Sequence, residues 1–171
     1  LGLISAFEQL QAGGYLNEHR LDLRELLEYA AQCFEQDVLS ADTVDEVIAF
    51  IYERYRNQLV QAKNYDRKVI EAVLALQPPL EQVQARIEAC VAFAQRPEAE
   101  SLAAANKRIS NLLQRNTDPI PALNPALFTE AAEQQLAQII AELAPVAAQQ
   151  FEQEDFAGSL ATLAAAKEPV D

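Results

Sequence analysis

Apolar residues recur along this chain at intervals of three and four, separated by short polar or proline-bearing breaks, which is the pattern of consecutive amphipathic helices. Leu3, Ile4, Phe7 and Leu10 form the first stripe, and Gly13-Gly14 stops it, so it reads as the tail of an upstream helix. Asp22 is placed to cap a second helix through Phe34 that buries Leu23, Leu26, Leu27, Ala30 and Phe34. Asp42 or Thr43 opens a third, running to Ala62, with Val44, Val47, Ile48, Ile51, Tyr55 and Leu59 facing inward. Asn64 opens the helix YDRKVIEAVLAL, which must end before Pro78-Pro79 because the residue before a proline is forced away from helical geometry. Pro79 and Leu80 start a helix to Gln95, and Pro97 suits the first turn of the next one, which carries LAAANKRISNLL. Prolines at 119, 121 and 125 mark a linker or crossing loop. Beyond it, Thr129–Leu143 is amphipathic, Pro145 is expected to break or restart the helix, and Asp155 caps a last helix through Ala166.

These elements predict an all-α fold of about seven or eight helices. Residues 1–14 are read as the end of an upstream helix or a domain junction, 15–116 as the main helical bundle, and 117–171 as a C-terminal helical hairpin packed on it. The opening LGLISAFEQL enters in mid-helix, so a fragment of a longer chain is expected.

Composition agrees with the periodicity. With 171 residues, half of them hydrophobic, the chain can bury a core, and with only 4 glycines its helix propensity is high almost throughout. No apolar run approaches the roughly 20 residues that span a bilayer, so no membrane partner is expected and a reducing, cytoplasmic setting is the default. Cys33 and Cys90 sit among apolar neighbours and read as small buried hydrophobes, while the only histidine, His19, has no companion for metal or nucleophilic chemistry. The carboxylate groups Glu25/Glu28, Asp42/Asp45/Glu46 and Glu152/Glu154/Asp155 lie at helix ends or on polar faces, where capping and solvation account for them. No catalytic residue, metal site or nucleotide-binding loop is assigned.

Charge is distributed in blocks. Residues 1–53 carry 2 basic and 11 acidic side chains, residues 54–115 carry 10 and 6, and residues 116–171 carry 1 and 9, within a total of −13. A polyanion could therefore be held locally by the middle third, although the chain as a whole repels one. On the third helix, Tyr52 and Arg56 lie one turn apart and Lys63 continues the line, an aromatic beside cations of the kind that stacks unpaired bases; an ordinary exposed face accounts for it equally well. Arg54 and Arg67 join this set by charge alone. In LAAANKRISNLL the apolar residues Leu102, Ala105, Ile109, Leu112 and Leu113 are opposed to Lys107, Arg108, Asn111 and Arg115, which form either a cationic ridge or a solvated helix face. Asn106 borders the apolar side and reads as a structural amide bonded to a neighbouring helix.

Four stretches occur in one order: LGLI at 1–4, YDRKVIEAVLAL at 65–76, LAAANKRISNLL at 102–113 and LAAAKEPVD at 163–171. Together they resemble the C-terminal tRNA-binding region of the β-subunit family of bacterial-type glycyl-tRNA synthetases, over essentially the whole chain. The resemblance implies a DALR-like anticodon-binding domain, similar to the one in class I arginyl-tRNA synthetases, that grips the anticodon arm of tRNA(Gly). It implies a whole enzyme that joins glycine to tRNA with ATP and Mg²⁺ on a separate α subunit, a heterotetramer without DNA among its partners, and no cofactor in this fragment. It carries over Asn106, Lys107, Arg108 and Asn111 as motif positions. The alternative left open by the acidic ends and apolar helices is a helical protein-protein interaction module for subunit assembly.

Overall fold

A computed structural model describes residues 2–16, 21–35, 38–62, 64–116 and 123–166, and among these there are eight α-helices, two short 3-10 turns and no strand. The all-α expectation holds. Contacts divide the chain into two compact units, residues 1–87 and 88–171, with the boundary inside the fifth helix.

The first unit contains α1 (Gly2–Ala12), α2 (Leu23–Ala31), α3 (Thr43–Ala62), α4 (Arg67–Leu74), a 3-10 turn at Leu80–Gln82 and the start of α5 (Val83–Ala94). Helix α1 ends in a Schellman motif. Gly14 adopts φ 75°, Tyr15 N–H donates to the Leu10 carbonyl and Gly14 N–H to that of Gln11, which satisfies the last carbonyls at a position where a side chain would be strained. Asp22 caps α2 by accepting from Glu25 N–H at 2.9 Å. The next helix, α3, packs against both α2 and α4, while α1 packs on the 3-10 turn. Ile4 and Phe7, Ile48, Tyr52 and Tyr55, Ile70 and Leu74, and Leu80, Val83 and Ile87 are all buried, so the removal of their apolar surface from water stabilises this unit.

Several local expectations are corrected. Helix α4 begins after Asp66, not Asn64, because the Asp66 carboxylate accepts from Lys68 N–H at 2.7 Å and so satisfies a helix-start donor. Helix α2 stops at Ala31, which leaves Phe34 and Cys33 outside it and exposed; Cys33 Sγ lies 3.8 Å from the Tyr29 carbonyl. Cys90 is half-buried.

The second unit holds the remainder of α5, then α6 (Ala99–Arg115), a 3-10 turn at Pro125–Leu127, α7 (Ala131–Glu152) and α8 (Phe156–Ala164). Helix α7 runs unbroken through Pro145, so the expected break is absent. Proline removes one backbone donor, and extensive packing of α7 on α8 holds the helix across that gap. Asp155 joins the two helices. Its N–H donates to the Gln150 carbonyl to close α7, and its carboxylate accepts from Gly158 N–H at 2.9 Å to open α8. Phe151 and Phe156 meet edge to face at 5.2 Å, and the buried Ser159 hydroxyl donates to the Ala147 carbonyl at 2.9 Å, locking the hairpin with directional contacts.

Candidate nucleic-acid interface

Helix α6 presents Lys107, Arg108, Asn111 and Arg115 to solvent along a single side. Arg115 lies in the last turn, where the negative end of the helix dipole favours a cation, so helix stability and a cationic ridge call for the same residue. The opposite side departs from the expected core stripe. Ala105 is buried and Leu102 half-buried, but Ile109, Leu112 and Leu113 are 47%, 66% and 50% exposed. Asn106 is exposed as well, so it is not the buried inter-helix amide that its position suggests.

On α3 the candidates separate. Tyr52 is buried at 6% exposure and donates its hydroxyl to the Pro78 carbonyl; burial first, then the nearby Glu81 and Asp22 charges, push its pKa up to about 12. Its ring belongs to the core and is not available to stack a base, because the apolar stripe of α3 is wide enough to include it beside Ile48 and Tyr55. Arg56 is half-buried, and its Nε is enclosed without a hydrogen-bond partner among the described residues. Arg54 is exposed and lies over the Phe50 ring, 4.9 Å from its centroid, which orients the guanidinium plane. On α4, Arg67 is paired one turn along with Glu71 at 2.7 Å, so its charge is already met locally. Lys63 lies outside the described residues.

The concave surfaces of the first unit include two that bear on the candidates. One, of about 290 Å³, lies between Leu21–Arg24, Ile48, Tyr52 and the segment Gln77–Glu81, but Asp22 serves its helix cap, Arg24 bonds Asp45 at 2.6 Å and Tyr52 bonds Pro78. The Arg24 guanidinium is held in its charged form there, by the hydrogen bond to Asp45 above all. The other, of about 390 Å³, is a groove lined by Ser5 of α1 and Arg54, Asn57, Gln58 and Gln61 of α3. Among the described residues it is lined by a hydroxyl, a guanidinium and three amides, and by no carboxylate. Apolar stripes and charges do not reveal these amides; Asn57, Gln58 and Gln61 recur with Arg54 on one helical face, a signal that polar periodicity would have shown.

Among the described residues no helix is long and apolar enough to cross a membrane, and no group of three or more His, Cys, Asp or Glu side chains could hold a metal ion. No protein-family model matches the chain. It is similar to glycine-tRNA ligase beta subunits: that of Methylobacillus flagellatus is 42% identical over 153 residues, covering 88% of this chain and 22% of that protein. The Ralstonia nicotianae subunit is 40% identical over 152 residues and the Pseudomonas aeruginosa subunit 39% identical over 158, each with the same 88% and 22% coverage. The chain therefore matches one region of these beta subunits and spans about a fifth of their length.

Proposed function

We propose that this chain, homologous to one region of glycine-tRNA ligase beta subunits, is a tRNA-binding region that grips the anticodon arm. In the whole enzyme, glycine is joined to tRNA(Gly) in the cytoplasm, with ATP and Mg²⁺ bound on a partner α subunit. The observation that carries the reading is the match of 88% of the chain to relatives bearing that name. The exposed Lys107, Arg108, Asn111 and Arg115 supply the chemistry: cations for phosphate oxygens and an amide for a base edge or ribose.

The assembled enzyme tests this reading. Reversing Lys107 and Arg108 to glutamate weakens tRNA binding and makes the dependence of log K on log salt shallower, by roughly 0.7 for each single-strand phosphate no longer neutralised. Unchanged affinity and slope would remove both residues from the interface.

A second reading, a helical module that joins protein subunits, draws on the exposed Ile109, Leu112 and Leu113. Exposed apolar side chains on one face suit a protein partner better than a polyanion. Crosslinks from α6 to protein alone favour it; crosslinks to tRNA favour the first.

A further inference from the structure

We infer that the groove between α1 and α3 is a base-reading subsite for an unpaired RNA nucleotide, an inference that rests on the tRNA-binding reading and assigns it specificity residues. The groove joins Ser5 to Arg54, Asn57, Gln58 and Gln61, and Phe50 stands one turn before Arg54 on the same face. Its chemistry is selective. Carboxamides carry a donor and an acceptor side by side, which matches the paired groups on a nucleobase edge, whereas a phosphate calls for donors alone. A carboxylate in the lining would repel the backbone that carries the base, and among the described residues none lines the groove.

The volume, about 390 Å³, accommodates one base with part of its sugar rather than a helix of duplex RNA. Phe50 is half exposed at 52%, and the Arg54 guanidinium is held over its ring at 4.9 Å. Arg54 lines the groove with Phe50 behind it, so its guanidinium offers a flat cationic surface for stacking an unstacked base while Asn57, Gln58 and Gln61 meet its edge. Arg54 also supplies the charge that draws the neighbouring phosphate. A protein side chain could meet the same amides, but it would not require a stacking surface with a positive charge beside a cavity free of acids. The observations thus favour a base.

The experiment uses the assembled enzyme with tRNA transcripts altered singly at each unpaired nucleotide. The native enzyme discriminates one of these positions, and Asn57→Ala or Gln61→Ala reduces that discrimination by about tenfold while leaving affinity for the mismatched transcript unchanged. Both residues are exposed, so circular dichroism and the unfolding midpoint stay as in the native enzyme. Arg54→Gln lowers affinity for all transcripts and makes the salt dependence shallower. Photocrosslinkers placed at Asn57 and, separately, at Asn111 distinguish the groove from the α6 ridge. Adducts to tRNA from both positions support the subsite. Adducts from Asn111 alone overturn the groove inference and leave the tRNA-binding reading standing; absence of tRNA adducts from both overturns both. Equal reduction on matched and mismatched transcripts by Asn57→Ala or Gln61→Ala, or an adduct from Asn57 to protein alone, also overturns the subsite.

Discussion

Tyr55 donates its hydroxyl to Glu8 Oε1 at 2.8 Å, tying the middle of α3 to α1 across 47 positions of sequence. The ring is 1% exposed, and burial together with the Glu8 carboxylate raises the phenol's pKa. This bond fixes the spacing of the two helices that flank the polar groove. Tyr55→Phe leaves the carboxylate without that donor and is expected to destabilise the first unit by about 1.5 kcal/mol, read as a lower denaturant midpoint with the same m-value.

Tyr52 makes stability depend on alkaline pH. Its pKa is about 12 in the folded chain against 10 in the open chain, so the neutral phenol is favoured by folding. The resulting stabilisation is fully present below pH 10 and is lost as pH rises through about 12, because the unfolded chain releases the proton first. Tyr52→Phe removes this contribution. The native chain should lose melting temperature between pH 10 and 12 more steeply than the variant; parallel curves would contradict the assignment.

At the start of α8, a methyl group added to Gly158 would lie 2.0 Å from Asp155 Oδ2. Asp155→Ala should cost about 1 kcal/mol as a missing N-cap. Gly158→Ala should be near neutral in the native chain, where better helix propensity offsets the disturbed cap, and stabilising by about 1 kcal/mol once Asp155 is alanine. A double-mutant cycle by thermal unfolding reads this change directly.

Glu154 occupies the left-handed position that ends α7, at φ 63°, and its N–H donates to the Phe151 carbonyl. Glycine accepts that geometry without Cβ strain, so Glu154→Gly should stabilise the hairpin by about 0.5 to 1 kcal/mol. Faster amide exchange at Asp155 and Ser159 in the variant would count against it.

Leu112, 66% exposed on α6, makes little contribution to the folded core. Leu112→Gln should change unfolding free energy by no more than about 0.5 kcal/mol in the isolated chain. A drop of about 2 kcal/mol or more would show that the side chain is buried.

The helices and most of their limits were legible because the signals are local. Gly14 accepts a positive φ, Asp22 and Asp155 reach nearby backbone donors, and the apolar spacing of α3 identifies Ile48 and Tyr55 as inward. Asp66 takes the cap expected of Asn64 because two equivalent side chains stand within three residues, and the nearer one to the helix makes the bond. The break expected at Pro145 does not occur because packing of α7 on α8 outweighs both the lost hydrogen bond and the ring's crowding of the preceding turn.

The candidate interface was legible only in part. The ridge of α6 is exposed as its spacing implies, since four polar side chains on one side of a helix have no reason to leave water. The settings of Tyr52 and Asn106 were not legible. An amphipathic tyrosine suits either a stacking platform or a core with a carbonyl at its rim, and the position of Pro78 decides between them.

By itself the sequence determined the helical class, the caps at Asp22 and Asp155 and the similarity to one region of glycine-tRNA ligase beta subunits, since each is carried by residue order and short-range geometry. Only the tertiary structure decided that Tyr52 closes a core, that Ser5 and Arg54 share a groove with amides, and that Ile109, Leu112 and Leu113 stand exposed. Periodicity defines the faces of a helix; whether a face meets a neighbour or water depends on residues distant in the chain.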